Sequence, residues 1–404
     1  MWIDSDVHEN KRQYHRTKNR NDIKKFAANE MNIPKSTSAK NSKRSLPTMT
    51  DVARAAGVSQ SSVSLILNKI TGARVAEVTR ERVINAARDL GYYLPKQRWS
   101  KRGDTERNVI AYLVDEISTS PHPVVSLDGA RDAGWEAGFL VEAHVTRSNP
   151  ELEEATIAEI NRDKSIIGVI YSTIFTRSVK LPKSLEKIPT VLLNCYCEPR
   201  SHIAILPGEK AGGFSATSHL LSLGHKRIGF INGEPWMDAA VERLSGYRKA
   251  LATANVSYDE SIVRNGDWLP LRGYQLAFEL LQKRNRPTAI LCGNDLMAIG
   301  VLEAASEMGL KVPKDLSVMG YDDQELSRYT HPPLSTLVLP NYEMGQRATE
   351  VLLDIAVRGK SRSTKTIRIN GPLVVRSTTG PFARGVIGRS KQKLRAQSRA
   401  RIGP

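Results

Sequence analysis

Cysteine is scarce: the 404 residues hold only Cys195, Cys197 and Cys292. An odd, sparse count excludes a disulfide framework. Cys195-x-Cys197 lacks the second pair or nearby histidines that would complete four ligands, so no metal site is expected and no cofactor is implied. Its apolar lead-in, Val191-Leu192-Leu193, reads as a strand end. No apolar run reaches the roughly 20 residues that span a bilayer. Residues 1–33 are polar and of mixed charge, unlike an export signal, so the expectation is a soluble cytoplasmic chain with no membrane partner. Three catalytic signatures are also missing: a Gly-x-Ser-x-Gly elbow, a phosphate-binding Gly-x-x-x-x-Gly-Lys-Ser/Thr loop and His-Glu-x-x-His. No His or acid forms a convincing nucleophile–base pairing, so an enzyme is not expected.

Charge is what the chain has in excess, and it is unevenly placed. The formal net charge is +17. Residues 1–46 carry eleven lysines and arginines against five acids, and residues 47–107 carry eleven against six. Residues 381–404 carry seven and no acid, which leaves 108–380 close to neutral. Basic ends on a neutral middle point to nucleic-acid binding attached to a core with another task. A solvated tail without a partner is the competing reading of residues 1–40.

Five segments follow from pattern and composition. Residues 1–46 read as a disordered basic tail, 47–94 as three short helices, 95–107 as a basic linker and 381–404 as a loose basic tail. Between them, residues 108–380 alternate strand-like and helix-like runs. The strand runs are 109–114, 166–171, 190–193, 203–206, 227–231, 289–292 and 317–321. Helical patterns include 208–223, 240–254, 271–283, 295–308 and 344–357. Such alternation predicts an α/β fold with parallel sheets. Some 270 residues exceed one comfortable core, so two lobes with a cleft are expected.

In the 47–94 segment, Thr48 is placed to cap a helix, with Asp51 three positions on. Val52, Ala53 and Ala56 form a small apolar face, and Gly57 ends the helix where a positive φ suits glycine. Val58 can plug the turn and Ser59 can cap a second helix, 60–68, with Val63, Ile66 and Leu67 inward. Two short helices around a Gly turn make a helix-turn-helix. Its second helix places N-terminal side chains on base edges, here Ser59, Gln60, Ser61 and Ser62. Gln can bond adenine in a bidentate way and Ser adapts to either partner. A third helix, 78–90, closes at Gly91. Taken alone, such a helical hairpin also occurs in proteins that never touch DNA.

The run from Asp51-Val-Ala-Arg-Ala-Ala-Gly-Val-Ser-Gln-Ser-Ser-Val-Ser-Leu-Ile-Leu to Asn68 resembles the head of the lactose-repressor/galactose-repressor family. Thr79-Arg-Glu-Arg-Val-Ile-Asn-Ala-Ala-Arg-Asp-Leu-Gly-Tyr92 resembles its third helix, and the likeness continues to about residue 380. The resemblance implies a DNA-binding transcriptional regulator, a repressor first, with a helix-turn-helix head and a two-lobed core like the periplasmic sugar-binding proteins. It adds Thr48, Ser64, Leu65 and Asn68 to the DNA-facing set. Three departures stand out. Leu65 replaces a base-reading Arg, and Ala76 replaces a Ser cap. In the linker, which has one extra residue before Pro95, Arg102 replaces the Leu that relatives wedge into the minor groove. Arg98, Lys101 and Arg102 can instead lie in a narrow A·T-rich minor groove, and Trp99 is the one large apolar candidate for a wedge.

The core landmarks of the resemblance are Leu223-Gly-His-Lys-Arg-Ile-Gly229, Arg243-Leu-Ser-Gly-Tyr247, Cys292-Gly-Asn-Asp-Leu-Met-Ala-Ile-Gly300, Gly320-Tyr-Asp-Asp323 and Pro332-Pro-Leu-Ser-Thr336. They imply a pocket of Arg243, Trp268, Asn294 and Asp322, with Asp115 and Asn194 as additions. Arg243 offers a fork suited to paired hydroxyls or a carboxylate, Asn294 a donor and an acceptor, Asp322 an acceptor, and Trp268 a flat face. The plainer readings are a surface ion pair for Arg243, core for Trp268, a helix cap for Asp295, and scaffold for Tyr321, Asp323 and His225. The expected partners are an inverted-repeat operator read by a homodimer and a small effector, a carbohydrate first and a nucleoside or purine second. An exported sugar-binding protein, an enzyme and an activator are the rival functions.

Overall fold

The computed structural model describes residues 49–58, 63, 66–67, 77–90, 92, 108–357 and 364–382. They fall into two compact units that divide at residue 105. In the first unit, α1 (Met49–Ala56) and α2 (Glu77–Asp89) are the described helices. Both lie within a residue of their predicted bounds. Val52, Ala53, Ala56, Val63, Ile66, Val83, Ala87 and Tyr92 form one small core. Gly57, at φ 64°, ends α1, and the Val58 N–H returns to the Ala53 carbonyl at 3.0 Å while its side chain packs on the core. This is the glycine-terminated stop that the sequence predicted.

The second unit carries two parallel sheets, as the strand–helix alternation required. Lobe 1 holds β1 (Val109–Val114), α3 (His122–Ala137), β2 (Leu140–Val145), α4 (Pro150–Arg162), β3 (Ile166–Ser178), β4 (Thr190–Tyr196) and β5 (Ala204–Pro207). Lobe 2 follows with α5 (Glu209–Ser222), β6 (Ile228–Asn232), α6 (Asp238–Thr253), β7 (Val263–Asn265), α7 (Pro270–Leu281), β8 (Ala289–Cys292), α8 (Asp295–Glu307), β9 (Ser317–Met319) and β10 (Thr336–Leu337). The chain then returns to lobe 1 through α9 (Asn341–Ala356) and β11 (Thr366–Ile369), and ends on β12 (Leu373–Val374), antiparallel to β10. Strand order is β11-β5-β4-β3-β1-β2 in one sheet and β7-β6-β8-β9 in the other. Continuous buried runs such as Val109–Val114 are what a sheet covered on both faces demands.

The chain therefore crosses between lobes three times, near residues 207–208, 339–341 and 370–372. The crossings pack against one another. A Cβ on Gly208 would lie 1.9 Å from Asn370 Oδ1, and one on Gly371 would lie 1.8 Å from the Val338 carbonyl oxygen. At Gly371, where the neighbour is backbone, only glycine permits that approach.

Strands β2, β7, β10, β11 and β12 lie outside the predicted runs, and two further features differ from the sequence reading. Strand β3 runs on to Ser178 rather than stopping at Tyr171. After a register irregularity beyond Ser172 it pairs again, Arg177 against Cys195. Helix α3 has a weak apolar period: it exposes Val124 and Val125 and buries Ser126, Gly129 and Gly134 beside Leu127 and Ala130. Those small residues let α9 approach, a Cβ on Gly129 falling 2.0 Å from the Tyr342 carbonyl oxygen. No helix among the described residues is long and apolar enough to cross a membrane.

Candidate functional site

A cavity of about 280 Å³ lies where the C-terminal ends of the two sheets face each other. Open α/β sheets gather ligands at such strand ends. Five of the six predicted pocket residues line it: Asn194, Arg243, Trp268, Asn294 and Asp322.

Asp115 is not among the lining residues. Its Oδ2 accepts from Arg177 Nη2 at 2.8 Å and its Oδ1 from the Ile174 N–H at 2.8 Å. Burial pushes its pKa up and Arg177 pulls it back. Asp115 thus anchors the β3 extension, and it is the neighbouring Ile174, Phe175 and Thr176 that reach the cavity. Asn194 lines the cavity, yet its amide serves the same extension: Oδ1 accepts from Thr176 Oγ1 at 2.6 Å and Nδ2 donates to the Thr173 carbonyl at 3.0 Å.

Arg243 is a buried ion-pair centre, not a surface one; only 3% of it is exposed. It sits on α6 where α5 crosses closely. A Cβ on Gly213 would fall 2.3 Å from the Arg243 carbonyl oxygen, and one on Gly246 2.2 Å from that of Lys210. The approach brings Glu209, at the start of α5, onto the guanidinium. Nε and Nη2 donate to its two oxygens at 2.7 and 2.8 Å, and Nη1 donates to the Gly293 carbonyl. The guanidinium also stacks 3.6 Å above the Tyr321 ring. Burial alone would lower its pKa, but Glu209, Tyr321 and Asp322 together raise it.

Asp322 follows β9 with φ 106°. Its backbone is held on both sides, N–H to the Leu337 carbonyl at 2.7 Å and carbonyl from the Leu339 N–H at 3.2 Å. Oδ2 accepts from Gln324 Nε2 at 3.3 Å and lies 3.6 Å from His122 Nε2 in lobe 1. Oδ1 is buried, 3.6 Å from Arg243 Nη2, and accepts no hydrogen bond. A buried carboxylate oxygen without a donor costs free energy until one arrives.

Trp268 has φ 69° and lies against the backbone of Gly233, where a Cβ would sit 1.8 Å from Cζ2. Its Nε1 donates to Met237 Sδ at 2.9 Å. Asn294 both supports it, Nδ2 to the Trp268 carbonyl at 2.9 Å, and caps α8, Oδ1 accepting from the Met297 N–H at 2.9 Å. The expected cap, Asp295, is instead the first helical residue. It is fully buried, accepting from Thr336 Oγ1 at 2.6 Å and the Gln324 N–H at 2.8 Å. Burial, reinforced by Asp322, pushes its pKa up to about 8. The cap is Asn294, and Asp295 points into lobe 2 toward Thr336 and Gln324.

Glu209, His122, Phe175, Met237 and Gln324 also line the cavity and were not anticipated. An acid in a first helical turn, such as Glu209, is a common dipole-matching choice, so nothing local marks it as a partner of Arg243. His225 is scaffold, as expected. Nδ1 meets Thr288 Oγ1 at 2.9 Å, Nε2 meets Ser317 Oγ at 3.0 Å, and burial lowers its pKa. All three cysteines are free and buried. Every predicted DNA-facing residue lies outside the described residues: Thr48, Ser59, Gln60, Ser61, Ser62, Ser64, Leu65, Asn68, Arg98, Trp99, Lys101 and Arg102.

Comparison with known proteins gives a consistent result. Residues 48–94 match the family model for bacterial regulatory proteins of the lacI family, and residues 217–379 match a periplasmic binding protein-like domain. The HTH-type transcriptional repressor PurR of Vibrio atlanticus is 31% identical over 336 residues, 82% of this chain and 98% of that protein. PurR of Haemophilus influenzae strain PittEE is 32% identical over 312 residues, 76% of this chain and 91% of its own. Among solved structures, a putative LacI-family regulator from Rhizobium etli aligns with TM-score 0.62 and 29% identity over 68% of this chain and all of its own. The lac repressor dimer bound to operator and the anti-inducer ONPF aligns with TM-score 0.58 and 26% identity, covering 83% of this chain and all of that one.

Proposed function

This chain belongs to the lacI family of bacterial regulatory proteins, DNA-binding repressors, and on that premise we propose that its operator affinity is set by a small effector bound in the interlobe cleft. The observation that carries the proposal is the buried Asp322 Oδ1, which accepts no hydrogen bond and lies 3.6 Å from Arg243 Nη2, in a cavity walled by both lobes. A hydroxyl placed there accepts from Arg243 and donates to Asp322, while Trp268 covers an apolar ring face. A carbohydrate fits this description. A purine or nucleoside is the second reading, supported by the apolar walls Phe175, Met237 and Leu296 and in keeping with the name of the similar repressors, PurR.

The head, 47–94, reads an inverted-repeat operator as part of a homodimer, with Ser59, Gln60, Ser61 and Ser62 on base edges and the 95–107 linker along the backbone or minor groove. Paired heads are what give half-site spacing its meaning. Two measurements test the whole. Operator affinity should fall by orders of magnitude between low and moderate salt if about six to ten phosphates are neutralised, and a fragment lacking residues 1–107 should not bind it. A thermal-shift screen of sugars and nucleosides should find a ligand, since 100 times its Kd adds about 2.7 kcal/mol. Asp322→Ala should keep operator binding and lose that response. Specific operator binding by the headless fragment, or an unchanged response in Asp322→Ala, refutes the assignment.

A further inference from the structure

We propose that the cleft selects an uncharged effector and rejects its anionic counterparts, because the cation that would bind an anion is already neutralised from within. The proposal rests on the effector-cleft reading above and specifies its ligand class: a molecule whose edge offers a donor and an acceptor side by side, as a hydroxyl or a lactam does.

Among the described residues, Arg243 is the only lysine or arginine lining the cavity. A guanidinium fork commonly receives a carboxylate or phosphate in a bidentate way. Here Glu209 occupies that fork through both of its oxygens, and Nη1 is partly spent on the Gly293 carbonyl. Of five donors, one N–H on each Nη remains. Asp322 then places a second carboxylate 3.6 Å from Nη2, so one cation faces two anions. The nearby arginines bring no relief. Arg177 is paired with Asp115 at 2.8 Å and Arg376 with Asp323 at 2.6 Å.

Helix starts, the other usual anion sites, are also taken. Helices α5, α6 and α8 carry Glu209, Asp238 and Asp295 in their first turns. Helix α7 starts on Pro270, which has no N–H, and Asp267 Oδ1 already accepts from the Leu269 N–H at 3.0 Å. At α3, Pro121 and Pro123 lack the donor and the His122 N–H goes to Ser120 Oγ at 3.4 Å. What is left unmatched is the Asp322 oxygen, which needs a donor. A ligand anion about 4 Å from that oxygen is disfavoured by roughly two to three powers of ten at an effective dielectric near 20.

The test is a calorimetric and thermal-shift panel on the full chain at pH 7.5, in pairs that differ in charge. Suitable pairs are glucuronamide with glucuronate, glucose with glucose 6-phosphate, ribose with ribose 5-phosphate, and adenosine and guanosine with their 5′-monophosphates. The first pair separates charge from size. The expected result is that the uncharged member of the binding pair is favoured at least about a hundredfold. Asp322→Asn should weaken it yet narrow the gap to less than about tenfold. An anionic member that binds as tightly as its uncharged counterpart, and loses binding in Trp268→Ala, overturns the charge selectivity while leaving the cleft reading intact. Binding of any member that is untouched by both Asp322→Asn and Trp268→Ala places the ligand elsewhere and overturns the cleft reading itself.

Discussion

Asp295 offers a perturbation whose sign and size can be worked from its surroundings. The carboxyl is fully buried, beside Asp322, and its pKa is pushed up from 3.8 to about 8. A raised carboxyl pKa means that the folded state holds a proton which the unfolded chain has released. Its stabilising contribution is therefore complete below about pH 4 and is lost as pH rises toward 8. Each decade of proton affinity is worth about 1.4 kcal/mol, so four decades cap the loss at roughly 6 kcal/mol, comparable with the total stability of many domains. The two partners differ in what they allow. Oδ2 accepts from the Gln324 N–H, which can only donate, whereas the Thr336 hydroxyl, which donates to the ionised Oδ1, can rotate to accept from a protonated one, so Oδ1 is where an acid proton fits. An asparagine reproduces this pattern, its Oδ1 toward Gln324 and its Nδ2 toward Thr336. Urea unfolding of wild type and Asp295→Asn at pH 4, 5, 6, 7 and 8 is the assay. The two should be within about 1 kcal/mol of each other at pH 4, with the mutant gaining up to about 1.4 kcal/mol per pH unit thereafter. A difference that stays flat, or that favours wild type increasingly with pH, refutes the assignment of a protonated Asp295.

Three further substitutions probe the Arg243–Glu209 pair. Arg243→Leu and Glu209→Leu should each cost about 3–5 kcal/mol, because each strands a buried charge, whereas the double mutant should cost clearly less than the sum of the two in urea unfolding. Gly213→Ala should destabilise by about 1–3 kcal/mol by overpacking, since its Cβ would lie 2.3 Å from the Arg243 carbonyl oxygen; the same melts should show it, with effector affinity falling as the Arg243–Glu209 pair is pried apart.

The fold was legible because its signals are local. Runs such as Val109–Val114 and Ala289–Cys292 are covered on both faces and read as strands to the residue. Gly57 marked the end of α1 through a backbone requirement that few other residues meet. The site was legible only in part, and the difference lies in what each residue answers to. Asp322, Trp268 and Arg243 face the cavity, and their motifs place them there. The role of Asp115 depends on Arg177, 62 positions away, and on an extension of β3 that no period in the sequence announces. Likewise Glu209 meets Arg243 because two helices cross at Gly213 and Gly246, a packing fact rather than a local one. The exchange of roles between Asn294 and Asp295 turned on a single position at a helix start, which pattern reading resolves poorly.

The cleft also gathers backbone strain. Asn194, Trp268 and Asp322 all have positive φ, a conformation that non-glycine residues hold only when their surroundings impose it. The restraints can be named. Asn194 is held by Thr173 and Thr176, Trp268 by Asn294 and Met237, and Asp322 by the backbone of Leu337 and Leu339. The last pair has a consequence for response. Residues 337–339 lead directly into the second crossing between the lobes, and Val338 donates its N–H to Pro372 in the third at 3.0 Å. The first crossing joins the same bundle, Gly208 donating to Ile369 at 2.7 Å. Asp322 and the three crossings between the lobes are thus one hydrogen-bonded backbone unit. On the proposed reading, a ligand that donates to Asp322 Oδ1 would act on a residue whose backbone is bonded directly to Leu337 and Leu339, so the route from the cleft to the second crossing between the lobes would be short.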